Sequence, residues 1–126
     1  MKYKEDNIIL RKSFLFALEV IDFTEELQKL KKFNLSNQLF RSGTSIGANV
    51  CESQNAESLN DFIHKLKIAS KEVEETIYWL SLCNESKYLP ENYSLVENAI
   101  ELRKILTSII AKCKLRNSTT KKSESV

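Results

Sequence analysis

Only two glycines and one proline occur in these 126 residues. That is too few turn formers for a chain of many short strands, so an all-β fold is excluded. Cysteine is sparse as well. Cys51, Cys83 and Cys113 are odd in number, far apart and without CxxC spacing. They indicate neither a disulfide framework nor a zinc site and read as reduced thiols packed as small hydrophobes. No apolar run approaches the ~18 residues of a membrane span. The opening MKYKEDN is charged and lacks the apolar core of a secretory signal. The expected location is therefore the cytoplasm, with no membrane partner. An excess of one charge is also missing: 19 basic less 17 acidic residues leave +2, too little to imply nucleic acid by itself.

What the sequence does have is long helical periodicity. One domain is expected, since the length supports a single core. A first helix is predicted from about Ile8 to Lys32, with Ile9, Phe16, Val20, Phe23, Leu27 and Leu30 on one stripe. Leu10, Phe14, Ala17 and Ile21 make a second stripe, and one neighbouring layer normally requires only one. Phe33-Asn34 breaks the pattern. A third helix is predicted from Ser58, with Asp61 as its capping-box acid, to about Ser86. Pro90 is a breaker, and a fourth helix follows from an N-cap at Ser94, with Glu97 reciprocal, to Leu115. The last stretch, residues 116–126, has no apolar residue before Val126 and reads as a disordered polar, basic tail after a bundle spanning 1–115.

The second helix, around Leu35 to Ser53, organises the rest. Leu35, Leu39, Ser42, Ile46 and Val50 form its buried stripe. Ser36, Phe40, Gly43, Gly47 and Cys51 form a face nearly bare of side chain apart from Phe40. Both glycines of the chain stand there, each costing about 1 kcal/mol of helix propensity relative to alanine. Close approach of another backbone is the simplest compensation. Arg41, Thr44, Ser45, Ala48 and Glu52 form a third, polar face. Four helices joined by short connections pack most simply as an all-α, antiparallel up-down-up-down four-helix bundle.

The run QLFRSGTSIGANVCES, from Gln38 to Ser53, resembles the signature of a bacterial four-helix-bundle family encoded by intervening sequences within 23S ribosomal RNA genes. Accessory variability proteins of diversity-generating retroelements belong to the same superfamily. Gln38, Leu39, Arg41, Ser42, Ser45, Ile46, Ala48, Asn49 and Glu52 match that pattern, which reads Q-L-x-R-[AS]-x-x-S-I-x-[AS]-N-I-x-E-[GA]. Glu75 and Tyr78 match in the third helix, and the likeness spans about Ile8 to Leu115. Gly47 and Ser53 depart from it, standing where many members have proline and glycine. The resemblance implies a homo-oligomeric ring, a pentamer, and no established enzymatic activity.

The residues themselves carry little chemistry. His64 is the only histidine and has no spacing to a nucleophile. Glu72, Glu74 and Glu75 are close in sequence but are expected to point apart, and no paired Glu-x-x-His motif is present. An enzyme is not expected, nor a cofactor, a metal or a small-molecule substrate. Arg41, Ser45, Asn49, Glu52 and Glu75 are the candidate structural or interface polar residues, with Glu75 the expected partner of Arg41. Phe40, Gly43, Gly47 and Trp79 are the candidate apolar interface. Trp79 as a contact with another chain is preferred over Trp79 as peripheral core.

Charge is unevenly spread. Residues 57–89 are net −2 (4 basic, 6 acidic) and residues 90–126 net +3 (7 basic, 4 acidic). Lys112, Lys114, Arg116, Lys121 and Lys122 follow one another with no acid between, and are the candidate nucleic-acid contacts. The plainer account of them is a solvated helix end that favours the helix dipole. The first reading is thus a non-enzymatic homo-oligomeric scaffold that binds RNA or a nucleic-acid-processing partner through basic surface. The alternative is a protein–protein adaptor or structural oligomer with no nucleic-acid role, which the near-neutral total favours.

Overall fold

The computed structural model describes residues 7–124, with side chains as far as Ser118. Four helices follow one another: α1 (Ile8–Lys29), α2 (Phe33–Ser53), α3 (Leu59–Glu85) and α4 (Tyr93–Glu124). Cross-helix bonds fix the direction of each neighbour. Ser36 of α2 donates to the Thr24 carbonyl of α1, and Lys65 of α3 reaches Glu52 of α2. Arg103 of α4 reaches Glu74 of α3, while Asn98 and Glu101 of α4 meet Glu19 and Lys12 of α1. In every pair residue numbers rise on one helix as they fall on the other. The four helices therefore form the antiparallel all-α bundle expected from the sequence.

The core lies where the stripes converge. Phe16, Val20, Phe23 and Leu27 of α1 meet Leu39, Ile46 and Val50 of α2, Leu66, Val73 and Leu80 of α3, and Leu95, Leu102 and Leu106 of α4. Leu30, assigned to the first stripe from spacing, is instead exposed, because α1 ends before it. Cys83 is buried among these groups, and burial pushes its thiol pKa up to about 11. A thiol held protonated in this way is inert.

The helix boundaries differ from the sequence reading for local hydrogen-bonding reasons. α1 stops at Lys29 because the Lys31 N–H returns to the Gln28 carbonyl and the Lys32 N–H to Leu27. This is the Schellman closure, and its pivot has φ 61°, a left-handed conformation usually given to glycine. Here Lys31 occupies it. Phe33, read as a breaker, is the first residue of α2. Replacing Lys31 with glycine relieves the Cβ clash of that conformation and is expected to raise stability by up to about 1 kcal/mol. A urea melt whose midpoint falls for Lys31→Gly would contradict the strain.

One further cap is built differently from the expectation and another moved. Ser58 does cap α3, accepting from the Asp61 N–H at 3.0 Å, but Asp61 reaches back to the N–H of Glu57 rather than of Ser58. The cap of α4 is Asn92, not Ser94: its side chain accepts from the Leu95 N–H at 3.0 Å. Asn92 wins because its own N–H is already held by the Asn84 side chain at 2.6 Å, which anchors the turn to the end of α3. α4 also runs to Glu124, through most of the segment read as a tail. Cys113 is the last buried residue whose side chain is described, and Asn117 ties this part of α4 to Asn60 of α3 at 2.9 Å. Residues 125 and 126 lie outside the described residues.

Candidate nucleic-acid interface and assembly surface

The bare face of α2 is used up within the chain. A Cβ on Gly43 would lie 2.7 Å from one Val20 methyl and 2.8 Å from the other, and a Cβ on Gly47 would lie 3.2 Å from the Ser13 carbonyl oxygen. Ser36 completes the row by bonding the Thr24 carbonyl at 3.0 Å. The close approach expected at the glycines is therefore that of α1. Gly43 is buried against Val20 and offers nothing to a second chain, so the expectation that it belongs to an apolar interface is corrected. Gly47 is only half-buried and borders the groove described below.

The polar face of α2 joins α3. Arg41 pairs with Glu75, the partner expected from sequence, and its other terminal nitrogen lies 3.3 Å from Glu72. Glu72 and Glu75, one turn apart, thus converge on one guanidinium instead of pointing apart as expected. Glu74, between them, faces the other way to Arg103 at 3.1 Å. The Trp79 indole N–H donates to the same Glu75 oxygen at 3.1 Å, and its ring packs half-buried against the core. Trp79 thus packs at the edge of the core, as its alternative reading had it, and keeps part of its surface in solvent. The indole is held by the carboxylate one turn before it.

Farther along α2, Ser45 donates to the Arg41 carbonyl and Asn49 donates to the Ser45 carbonyl at 2.9 Å, so both satisfy their own helix. Glu52 lies 2.9 Å from the Lys65 ammonium and holds its pKa above the ordinary lysine value. Inside the same seam the buried hydroxyls of Ser42 and Thr76 are hydrogen-bonded at 3.0 Å. These contacts set the register of α2 on α3. Because the Arg41 side chain is half exposed, its pairs are worth about 1 kcal/mol together. Arg41→Ala is expected to lower Tm by roughly 3–6 °C; an unchanged Tm and unchanged mass in solution would remove this role.

On the outer side of α1 and α2 the second apolar stripe is only partly covered: Leu10 is buried, while Phe14, Ala17 and Ile21 are half-buried. Leu10, Phe14 and Ala17 of α1 and Thr44, Gly47, Ala48 and Cys51 of α2 line a shallow groove of about 220 Å³. Leu18, one turn beyond Phe14, and Phe40 of α2 are each 46% exposed. Tyr78 and Leu82 leave a second apolar area on α3, on the far side of the bundle from α1. Among the described residues, no three His, Cys, Asp or Glu side chains converge as a metal site would require, and no helix is long and apolar enough to cross a membrane. His64 is exposed on α3.

The candidate basic residues of α4 do not form one cluster. Lys112 lines a cleft against Ile8 and Ile9 of α1, together with Lys104. Lys114 lies instead toward α3, where its ammonium acts on that of Lys67. Arg116 is exposed, and the side chains of Lys121 and Lys122 lie outside the described residues. Consecutive basic residues on a helix diverge by the helical step, which is why a sequence run does not become a patch.

This bundle, with its signature helix against both neighbours, has relatives. Residues 5–108 match the family described as 23S rRNA-intervening sequence protein. The chain belongs to that family. A crystal structure of a protein of unknown function from the S23 ribosomal protein family of Bacteroides thetaiotaomicron VPI-5482 superposes with a TM-score of 0.77. It is 42% identical, over 81% of this chain and 97% of that one. No curated protein matches. The intervening-sequence family match ends at residue 108, so Lys112, Lys114 and Arg116 lie past it, whereas the Arg41 pairs, both glycines and all of α3 lie within it.

Proposed function

We propose that this member of the 23S rRNA-intervening sequence protein family is a non-enzymatic, cytoplasmic scaffold. It assembles with copies of itself, as the pentamer implied by the family resemblance, and holds RNA on its basic surface. The observation that carries the assembly is the shallow apolar groove between α1 and α2, with the exposed Leu18 and Phe40 beside it. Leu18 and Phe40 are each 46% exposed, and burial against another chain removes them from water. The groove and the Tyr78–Leu82 area differ from one another, which favours a head-to-tail contact that closes into a ring. The family description, which speaks of 23S rRNA intervening sequences, favours RNA as the partner class. A second reading, a protein–protein adaptor with no nucleic-acid role, is favoured by the net charge of only +2.

Light scattering at micromolar concentration and moderate ionic strength is expected to give a multiple of the 14.6 kDa protomer mass. Leu18→Glu is expected to return that mass to a single protomer while helicity is retained, because the side chain is half exposed and removes no core contact. A wild-type mass of one protomer would end the assembly reading. Titration of structured RNA at two salt concentrations separates the two partner readings, since backbone binding weakens steeply with salt.

A further inference from the structure

Two cations of α3 and α4 are matched by carboxylates. Lys65 lies 2.9 Å from Glu52, and Arg103 lies 3.1 Å from Glu74. Lys67, Lys71 and Lys114 differ. All three are exposed, and among the described residues no carboxylate forms an ion pair with any of them. Lys67 and Lys71 stand one turn apart on α3, about 6 Å between Cβ atoms. The helix register brings Lys114 to the Lys67 end of this pair. Asn117 bonds Asn60 at 2.9 Å toward one end and Arg103 bonds Glu74 toward the other, and Lys114 lies within that span, nearly one turn before Asn117. Its ammonium crowds that of Lys67, whose pKa is held below the ordinary lysine value by Lys114 first, then by partial desolvation, then by Lys71.

The geometry points to a surface, built by Lys67 and Lys71 of α3 with Lys114 of α4, that binds the phosphodiester backbone of a nucleic-acid duplex. This rests on the RNA-binding part of the proposed function and moves its centre from the end of α4 to the α3–α4 face. Lys71 continues the row one turn of α3 beyond Lys67, so the three cations are set out along a line and not around a single point. Successive phosphates can meet them, because a duplex carries one charge per ~1.7 Å of its axis. The mutual repulsion that the folded chain tolerates here becomes attraction once a polyanion is bound. Stacking on bases is not provided for: the nearest exposed aromatic along α3 is Tyr78, two turns beyond Lys71. Contacts of this kind fix the position of a duplex without reading its sequence.

The test uses the full chain and two labelled hairpins of one sequence, RNA and DNA, followed by fluorescence anisotropy over a range of salt. The tighter hairpin identifies the duplex. For that hairpin, Lys67→Glu/Lys71→Glu/Lys114→Glu is expected to weaken binding at least about tenfold and to flatten the log–log salt slope by about three, roughly one per phosphate contact. The corresponding triple glutamine variant, which removes charge without reversing it, is expected to flatten the slope equally and guards against a folding defect. Lys104→Glu/Lys112→Glu, on the α1 side of α4, is expected to leave the slope nearly unchanged. If both triple variants bind as wild type while the Lys104/Lys112 variant loses binding, this surface is wrong and the RNA reading stands. If the wild-type chain binds neither hairpin at low salt, both are wrong.

Discussion

Gly43→Leu is expected to destabilise the bundle by more than about 3 kcal/mol, and even Gly43→Ala is expected to lose stability. An alanine Cβ would sit 2.7 and 2.8 Å from the two methyls of Val20, inside van der Waals contact. Val20 has no exposure and is β-branched, and in a helix such a side chain has one strongly preferred rotamer. Rotation offers no escape, so the helices must part. Parting them loosens the Ser36–Thr24 bond and opens the core behind Val20. Overpacking of this kind costs about 1–3 kcal/mol, against which the alanine recovers ~1 kcal/mol of helix propensity. The net loss for Gly43→Ala is thus up to about 2 kcal/mol, read as a fall in Tm of roughly 3–6 °C per kcal/mol. A double-mutant cycle isolates the contact. Val20→Ala clears the space, so Gly43→Ala is expected to cost less, or to stabilise, in that background. A Gly43→Ala protein more stable than wild type would show that α1 does not approach this closely.

The second large effect belongs to Phe16→Ala, expected to cost about 3–5 kcal/mol. Phe16 is 2% exposed and is among the largest side chains of the core, with Leu15 beside it 41% exposed. Domains of this kind are stable by only ~5–15 kcal/mol, so the loss is a large share of the whole. Tm is expected to drop by roughly 10–25 °C. Leu15→Ala is the control and should cost less than ~1 kcal/mol. Both variants are compared with wild type at one protein concentration, since assembly makes Tm concentration-dependent. Comparable losses at the two positions would mean that α1 is rotated from the orientation described.

Much of the architecture was legible beforehand because helical periodicity and burial are the same fact seen twice. Phe16, Val20, Phe23 and Leu27 repeat at the spacing of one helix face, and that face is buried. The pair of glycines in a chain almost without glycine marked a close approach, and Val20 and Ser13 provide it. Arg41 and Glu75 were paired correctly because an arginine on a polar helix face requires a partner beyond its own helix. The caps were less legible. Serine and asparagine are both good N-caps, and the choice of Asn92 over Ser94 was made by Asn84, eight residues earlier on α3.

Local patterns of spacing and propensity were enough to specify four helices, their apolar faces and the family signature in α2. The chain order alone did not specify which neighbour each second face would meet. That depends on how the helices rotate about their axes when the core closes, a choice settled jointly by all four. So α1, not another chain, covers Gly43; Trp79 turns to Glu75; and Lys114 leaves its sequence neighbours Lys112 and Arg116 to meet Lys67. A run of like charges in one dimension is a property of composition. A patch is a property of two helices in register.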